Sequence, residues 1–124
     1  MGYLLVFMGG GLGSVLRHGV NVLTARFWGT QYPIGTLCIN VLGSFAMGVV
    51  VEYLAMKSGL SQQARLFLTT GVIGGFTTFS TFSLEVATLS SRGEIIWAAF
   101  YIASSIIFGV GGFYTGMTLV RLAT

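Results

Sequence analysis

Charged side chains are scarce in this sequence, because lysine, arginine, aspartate and glutamate together make up only 7% of its 124 residues. A soluble domain carries about 25% charged residues, so the composition excludes an ordinary water-exposed surface. The apolar residues fall into four long blocks, near residues 3–25, 33–56, 63–90 and 95–120. A helix needs about 20 residues to cross the hydrocarbon core of a bilayer. The sequence therefore predicts an all-α membrane protein, with four transmembrane helices in a single domain over residues 1–124.

Cysteine, histidine and acidic residues are also rare. Cys38 is the only cysteine, so no intrachain disulfide can form. One histidine and three acidic residues provide neither a cluster of metal ligands nor a nucleophile triad, and no basic cluster suggests nucleic acid. We therefore expect neither an enzyme nor a nucleic-acid-binding protein. No lysine or arginine precedes Arg17, so the first apolar block is predicted to be a helix and not a signal peptide.

Polar residues stand out inside the second apolar block. Thr36, Asn40 and Ser44 are spaced by four and therefore share one face of a helix. A polar side chain in mid-membrane is costly and tends to be functional or to join helices, and both roles stay open for Asn40. Residues 57–59 are expected to end this helix.

The most unusual segment is residues 74–83, GGFTTFSTFS, in the middle of the third apolar block. A buried helix needs neither paired glycines nor a run of five hydroxyls. In hydrocarbon, a non-helical turn is tolerated only where it lines a cavity or binds something. We therefore predict that the third helix breaks at Gly74 and Gly75, between half-helices near 66–73 and 79–89, and that this segment is the working part of the protein.

Positive charge barely favours one side of the membrane. Four spans would place both termini on one side, together with Lys57, Arg65 and Arg121. The other side would hold Arg26 and Arg92, and also Arg17 if its side chain extends to that surface, so the count is three against two or three. Because lysine and arginine near the ends of spans set orientation, this near balance predicts that either orientation inserts. Such a chain can form an antiparallel two-fold dimer; the alternative is a weak bias under which one orientation still dominates.

Segments of the first three apolar blocks resemble the motifs of a known family. Residues 74–83, followed by Glu85, resemble the third-helix signature of the small bacterial fluoride channels, the Fluc or CrcB family. Residues 35–37 with Asn40 resemble the second-helix motif, and residues 13–17 resemble the glycine-then-arginine stretch of the first helix. The resemblance covers essentially the whole chain. It implies a passive fluoride channel of the bacterial plasma (inner) membrane, built as an antiparallel dual-topology homodimer with two pores and a central structural sodium ion.

The resemblance also implies roles for individual residues. Asn40 would face the pore, the ring edges of Phe79 and Phe82 would line it, and Gly74 and Thr77 would offer backbone carbonyls to sodium. One turn beyond Ser105, where some relatives have another small hydroxyl, this chain has Gly109, and the length of the polar track on the fourth helix stays open. The resemblance also matches Tyr101 and Ser105 to a pore tyrosine and serine, and Thr81 and Glu85 to polar positions just beyond the phenylalanines. The predicted pore further includes Thr36, for its hydroxyl donor, and Arg17, which either supports the pore entrance or extends to the lipid headgroups. Whether Arg17 and Glu85 touch the ion pathway stays open.

These residue types suit a small, hard hydrogen-bond acceptor. Amide and hydroxyl groups are donors, phenyl rings have a positive edge, and conduction needs several weak sites. The main alternative is a small proton-coupled multidrug antiporter of dual topology, which needs a carboxylate in its first span. This chain has no acidic residue before Glu52, which favours the channel. A non-transporting membrane subunit is the second alternative.

Overall fold

The computed structural model describes residues 1–57 and 59–124. The predicted helix end at residues 57–59 includes Ser58, which lies outside the described residues, while Lys57 has extended backbone. In chain order the helical elements are α1 (Gly2–Trp28), α2 (Ile34–Met56), α3 (Gln62–Leu66), a π-helical segment (Phe67–Ile73), α4 (Gly74–Phe76), α5 (Ser80–Ser91) and α6 (Ile95–Ala123).

The all-α fold class is confirmed, since the described residues contain helices and no strand. Three segments within them are long and apolar enough to cross a bilayer, namely Ile34–Met56, Gln62–Ser91 and Ile95–Ala123. Helix α1 has the length to cross, with 27 residues, but its glycines, Arg17 and His18 dilute its apolar character. The fourth span therefore stays a prediction.

Glycines let two pairs of helices approach closely. A Cβ atom at Gly13 of α1 would overlap the backbone carbonyl of Val72, and one at Gly48 of α2 would overlap the carbonyl of Phe113 on α6. Small residues permit this backbone contact, which supplies much of the packing between helices in a membrane. Helix α1 is thereby held against the third span, and α2 against α6.

The third span departs from the sequence-based prediction in the position of its non-helical residues. Gly74 and Gly75, predicted to be the break, both lie in helical α4, so that prediction was wrong in position. The residues between α4 and α5 are 77–79, and Thr77 has extended backbone with φ −78° and ψ 159°. Gly75 serves packing instead, because a Cβ there would lie 2.5 Å from the carbonyl oxygen of Gly10 on α1. We call residues 77–79 the 77–79 turn.

Glu94 ties together the α1–α2 and α5–α6 loops. Tyr32 Oη donates to Glu94 Oε1 at 3.1 Å, and Arg92 Nε donates to Glu94 Oε2 at 2.8 Å. The ring of Tyr32 also packs on Trp97, with 5.4 Å between ring centroids. The hydrogen bond from Arg92 holds the pKa of Glu94 below its usual range, while the bond to Glu94 raises the pKa of Tyr32.

This loop contact predicts a specific pH dependence of stability. A carboxylate whose pKa is lowered by folding stabilises the protein above its unfolded pKa, and that stabilisation is lost as pH falls through the folded value. The difference in melting temperature between wild type and Glu94→Gln should therefore stay constant from about pH 7 to about pH 5 and shrink at lower pH. Intrinsic fluorescence in detergent measures it. A difference that does not change with acidification would contradict the role given to the Glu94 carboxylate.

Candidate functional site

An open groove of about 400 Å³ lies beside the 77–79 turn. Its walls come from α2, the turn itself, the start of α5 and the middle of α6. We call it the 77–79 groove. The polar residues that line it are Asn40, Ser44, Thr77, Thr78 and Ser105, and its aromatic residues are Phe79, Phe82 and Phe113.

The side chain of Asn40 forms two hydrogen bonds with the backbone of the turn. Its Nδ2 donates to the carbonyl oxygen of Thr78 at 3.0 Å, and its Oδ1 accepts from the amide of Thr78 at 2.9 Å. In a continuous helix that amide would donate to the carbonyl of Gly74. The Thr78 hydroxyl in turn accepts from the amide of Thr81 at 3.3 Å. Asn40 therefore replaces helical partners and keeps one amide N–H for a further acceptor.

Helix α1 contacts two more carbonyls of the interrupted region. Arg17 Nη1 donates to the carbonyl oxygen of Thr77 at 3.3 Å. Ser14 Oγ lies 3.5 Å from the carbonyl oxygen of Gly75, at the long limit of a hydrogen bond. Polar side chains of α1 and α2 thus partner backbone groups that a membrane interior would otherwise leave unsatisfied.

A row of aromatic side chains runs from the groove to Glu85. The ring centroids of Phe79 and Phe82 are 5.6 Å apart, and those of Phe82 and Tyr101 are 5.1 Å apart. Tyr101 Oη donates to Glu85 Oε1 at 3.0 Å. Phe79 is 78% exposed in the single chain, so its ring projects from the open side of the groove.

Glu85 lines a second, smaller cavity of about 190 Å³, between α1, α2 and α5. Thr36 and Thr81 also line it, and so does Asn21 of α1. Thr36 is 2% exposed. We call this space the Glu85 cavity, and the Phe82–Tyr101–Glu85 contacts link it to the 77–79 groove.

The structure distributes the sequence-predicted site residues over these two spaces. Tyr101 lies between the two, Arg17 reaches the turn only through the carbonyl of Thr77, and Gly74 is exposed on the surface of the chain. The groove collects Asn40, Thr77, Phe79, Phe82 and Ser105, whereas the Glu85 cavity collects Thr36, Thr81 and Glu85.

Sequence reasoning missed several residues of the site. Ser44 lines the groove, and its spacing of four from Asn40 was a signal that it faces the same way. Thr78 lies in the segment 74–83 that the sequence singles out, although its own role was not predicted. Asn21 had no comparable signal, because its place depends on contacts between distant helices. Ser105 was predicted, and its Oγ is buried with no hydrogen-bond partner among the described residues. That hydroxyl is available to a ligand in the groove.

The backbone at the turn can be tested for its fit to a sodium ion. The Thr78 amide donates to Asn40 and not to the carbonyl of Gly74, so that carbonyl is released near the chain surface. The carbonyl of Thr77 accepts from Arg17 and keeps a second lone pair. Oxygen ligands of this type suit a hard cation. Residues 1–57 and 59–124 hold no cluster of three histidine, cysteine or acidic side chains for a metal.

Comparison with known proteins identifies the family. A family model described as CrcB-like protein, Camphor Resistance (CrcB), matches residues 4–117. The chain belongs to this family. Among its CrcB-like relatives, one from Granulibacter bethesdensis is 55% identical over 122 residues, covering 98% of this chain and 95% of the relative. Another, from Nitrobacter hamburgensis, is 52% identical over the full length of both chains.

The names of these CrcB-like relatives concern ion channels and not enzymes. The Granulibacter protein is named Fluoride-specific ion channel FluC, the Nitrobacter protein Fluoride-specific ion channel FluC 2. A Rhodopseudomonas palustris protein with the first of these names is 48% identical over the full length of both chains. The predicted resemblance to the CrcB family is confirmed. Together with its three apolar spans, family membership makes this chain a multi-pass membrane protein.

Asn40 should be essential to the stability of the CrcB-like fold. Asn40→Ala leaves the N–H and C=O groups of Thr78 without partners, so we expect a loss of about 2–4 kcal/mol in the free energy of unfolding. Hydrogen exchange of the peptide containing Thr78 should accelerate. Asn21→Ala is the matched control, since its carboxamide faces Gly35 and not the turn. Equal effects of the two substitutions would contradict a stabilising role for the hydrogen bonds between Asn40 and Thr78.

Proposed function

We propose that this chain is a fluoride-selective ion channel that exports fluoride passively, with two pores in an antiparallel dual-topology homodimer of the bacterial plasma (inner) membrane. The names of relatives about half identical over the full length support the ion. The observation that carries the proposal is the 77–79 groove. It collects the Asn40 amide, the unpartnered hydroxyl of Ser105 and the rings of Phe79 and Phe82 in an otherwise apolar bundle.

The chemistry of the groove suits a small anion. Hydroxyl and amide groups replace water as donors, and the edges of the Phe79 and Phe82 rings carry partial positive charge. No carboxylate lines the groove within the described residues. The spare N–H of Asn40 and the hydroxyl of Ser105 are single neutral donors, so each holds an anion weakly. Weak, multiple sites are what conduction requires. A pore narrowed by the second copy would disfavour the larger chloride ion.

A homodimer explains the surface that a single chain leaves open. The groove is open on one side, and the ring of Phe79 is 78% exposed there. A second copy would cover this apolar edge and complete a pore wall. The weak charge bias also supports dual topology. Orientation follows the number of lysine and arginine residues near the ends of the spans and not net charge. The ion pairs of Arg121 with Glu52 and of Arg92 with Glu94 therefore leave the near balance as it is.

A proton-coupled antiporter fits the positions of the acidic residues less well. Glu52 and Glu94 are engaged in ion pairs near the ends of the helices, and Glu85 accepts from Tyr101. Helix α1 contains no acidic residue. No carboxylate is therefore placed in the first span, where a drug–proton exchanger of this kind needs one.

Fluoride efflux from liposomes tests the proposed function. A fluoride electrode should record efflux without chloride efflux and without dependence on a proton gradient. Phe79→Ile and Phe82→Ile should lower the rate at least about tenfold, because they remove the ring edges and leave the apolar volume largely in place. Phe27→Ile, at an exposed ring near the end of α1, is the matched control. Normal flux through both groove variants would remove these rings from the pore.

We propose further that backbone carbonyls of Gly74 and Thr77 from both copies hold one structural sodium ion. The cation would partner carbonyls released at the turn and link the subunits. Replacing sodium with N-methylglucamine should then lower the melting temperature of the purified dimer and slow fluoride efflux. The same measurements with lithium or potassium in place of sodium, at equal concentration, control for ionic strength. If the melting temperature and the rate of fluoride efflux do not change with the identity of the cation, the sodium site is contradicted.

A further inference from the structure

Gly109 leaves a gap in the polar wall of the groove. It lies one helical turn beyond Ser105 on α6 and lines the groove without offering a side chain. Ser44 of α2 faces this gap, since a Cβ atom built on Gly109 would lie 3.8 Å from Ser44 Oγ. The absent side chain on one helix thus uncovers a hydroxyl on the neighbouring helix.

The hydroxyl of Ser44 is not used by its own helix. Several other hydroxyls in the spans donate to the carbonyl four residues earlier, as Thr69 Oγ1 does to Arg65 at 2.8 Å and Thr115 Oγ1 does to Gly111 at 2.7 Å. Ser44 makes no bond of this kind within residues 1–57 and 59–124, although it occupies a helical position that allows one. Its proton is therefore free to point into the groove.

We infer that Ser44 is a further pore-lining donor, and that the polar path crosses from α6 to α2 at Gly109. The inference rests on the proposed fluoride channel. Asn40 and Ser44 are one turn apart on the same face of α2, about 6 Å along its axis. An anion that leaves the Asn40 and Ser105 donors meets the Ser44 hydroxyl next. Ser44 takes the place of a hydroxyl that Gly109 cannot supply.

The geometry allows the hydroxyl to be moved back to α6. The 3.8 Å between Ser44 Oγ and a Cβ at Gly109 is ordinary van der Waals contact. No other atom lies within 4 Å of that Cβ among the described residues. A serine at position 109 therefore fits without strain, and its hydroxyl would enter the same part of the groove. Alanine at position 109 adds the same Cβ atom without a donor.

Fluoride efflux from liposomes tests this crossing. Ser44→Ala should lower the rate about threefold to tenfold, since one hydrogen-bond donor is lost from the path. Ser44→Ala combined with Gly109→Ser should restore the rate to within about twofold of wild type, whereas Ser44→Ala combined with Gly109→Ala should not. Wild-type flux in Ser44→Ala, or equal flux in the two double variants, would overturn the inference.

The controls separate this inference from the proposed function. Ser91→Ala removes a hydroxyl that donates to Ala87 outside the groove and should leave efflux unchanged. Ser44→Cys, which keeps the size of the side chain and replaces the hydroxyl with a weakly donating thiol, should reproduce the loss if Ser44→Ala does not fold. A wild-type protein that releases no fluoride overturns the channel itself. A conducting wild type with an indifferent Ser44 overturns only the role of Ser44.

Discussion

The hydrogen bonds between Asn40 and the backbone of Thr78 are the constraint on which the rest of this structure depends. A helix that changes direction inside hydrocarbon releases N–H and C=O groups, and each such group is costly without a partner. Asn40 satisfies both groups of Thr78, while Arg17 satisfies the carbonyl of Thr77. These partners come from α2 and α1, so the turn forms only when three spans are assembled. Local sequence alone does not hold it.

The same turn determines the shape of the site. Because the chain leaves α4 at Thr77 and enters α5 at Ser80, Phe79 projects outward and Phe82 lies one turn behind it against Tyr101. The groove opens between this aromatic row and α6. The Oδ1 atom of Asn40 and one of its N–H groups are hydrogen-bonded to the backbone, so only the second N–H is left for a ligand. In the proposed channel, this one side chain would therefore combine a structural role with a weak binding role.

The apolar blocks predict the helices well, because the length and the hydropathy of an apolar run are local properties of the chain. The motif over residues 74–83 is also local, and it predicts the family and the part of the groove that this segment forms, whereas α2 and α6 supply most of the other lining residues. The exact place of the turn was not predictable from glycine alone, since Gly75 is required for contact with α1. The π-helical turns over Phe67–Ile73 likewise carry no sequence signal of their own. Both depend on how the third span packs on α1.

The arrangement of charge around the groove fits the anion conduction that we propose. Arg17 contacts the turn through the carbonyl of Thr77, yet it does not itself line the groove. The positive charge of Arg17 lies one peptide unit from the groove. Its electrostatic effect there is stronger than it would be in water, because the dielectric constant of the membrane interior is low. Glu52 and Glu94 are paired with arginines, and Glu85 lies in the neighbouring cavity. In the proposed channel, an anion in the groove would meet neutral donors directly and the Arg17 charge behind the Thr77 carbonyl. This arrangement would lower the cost of entry for the anion while each direct contact stays weak enough to break.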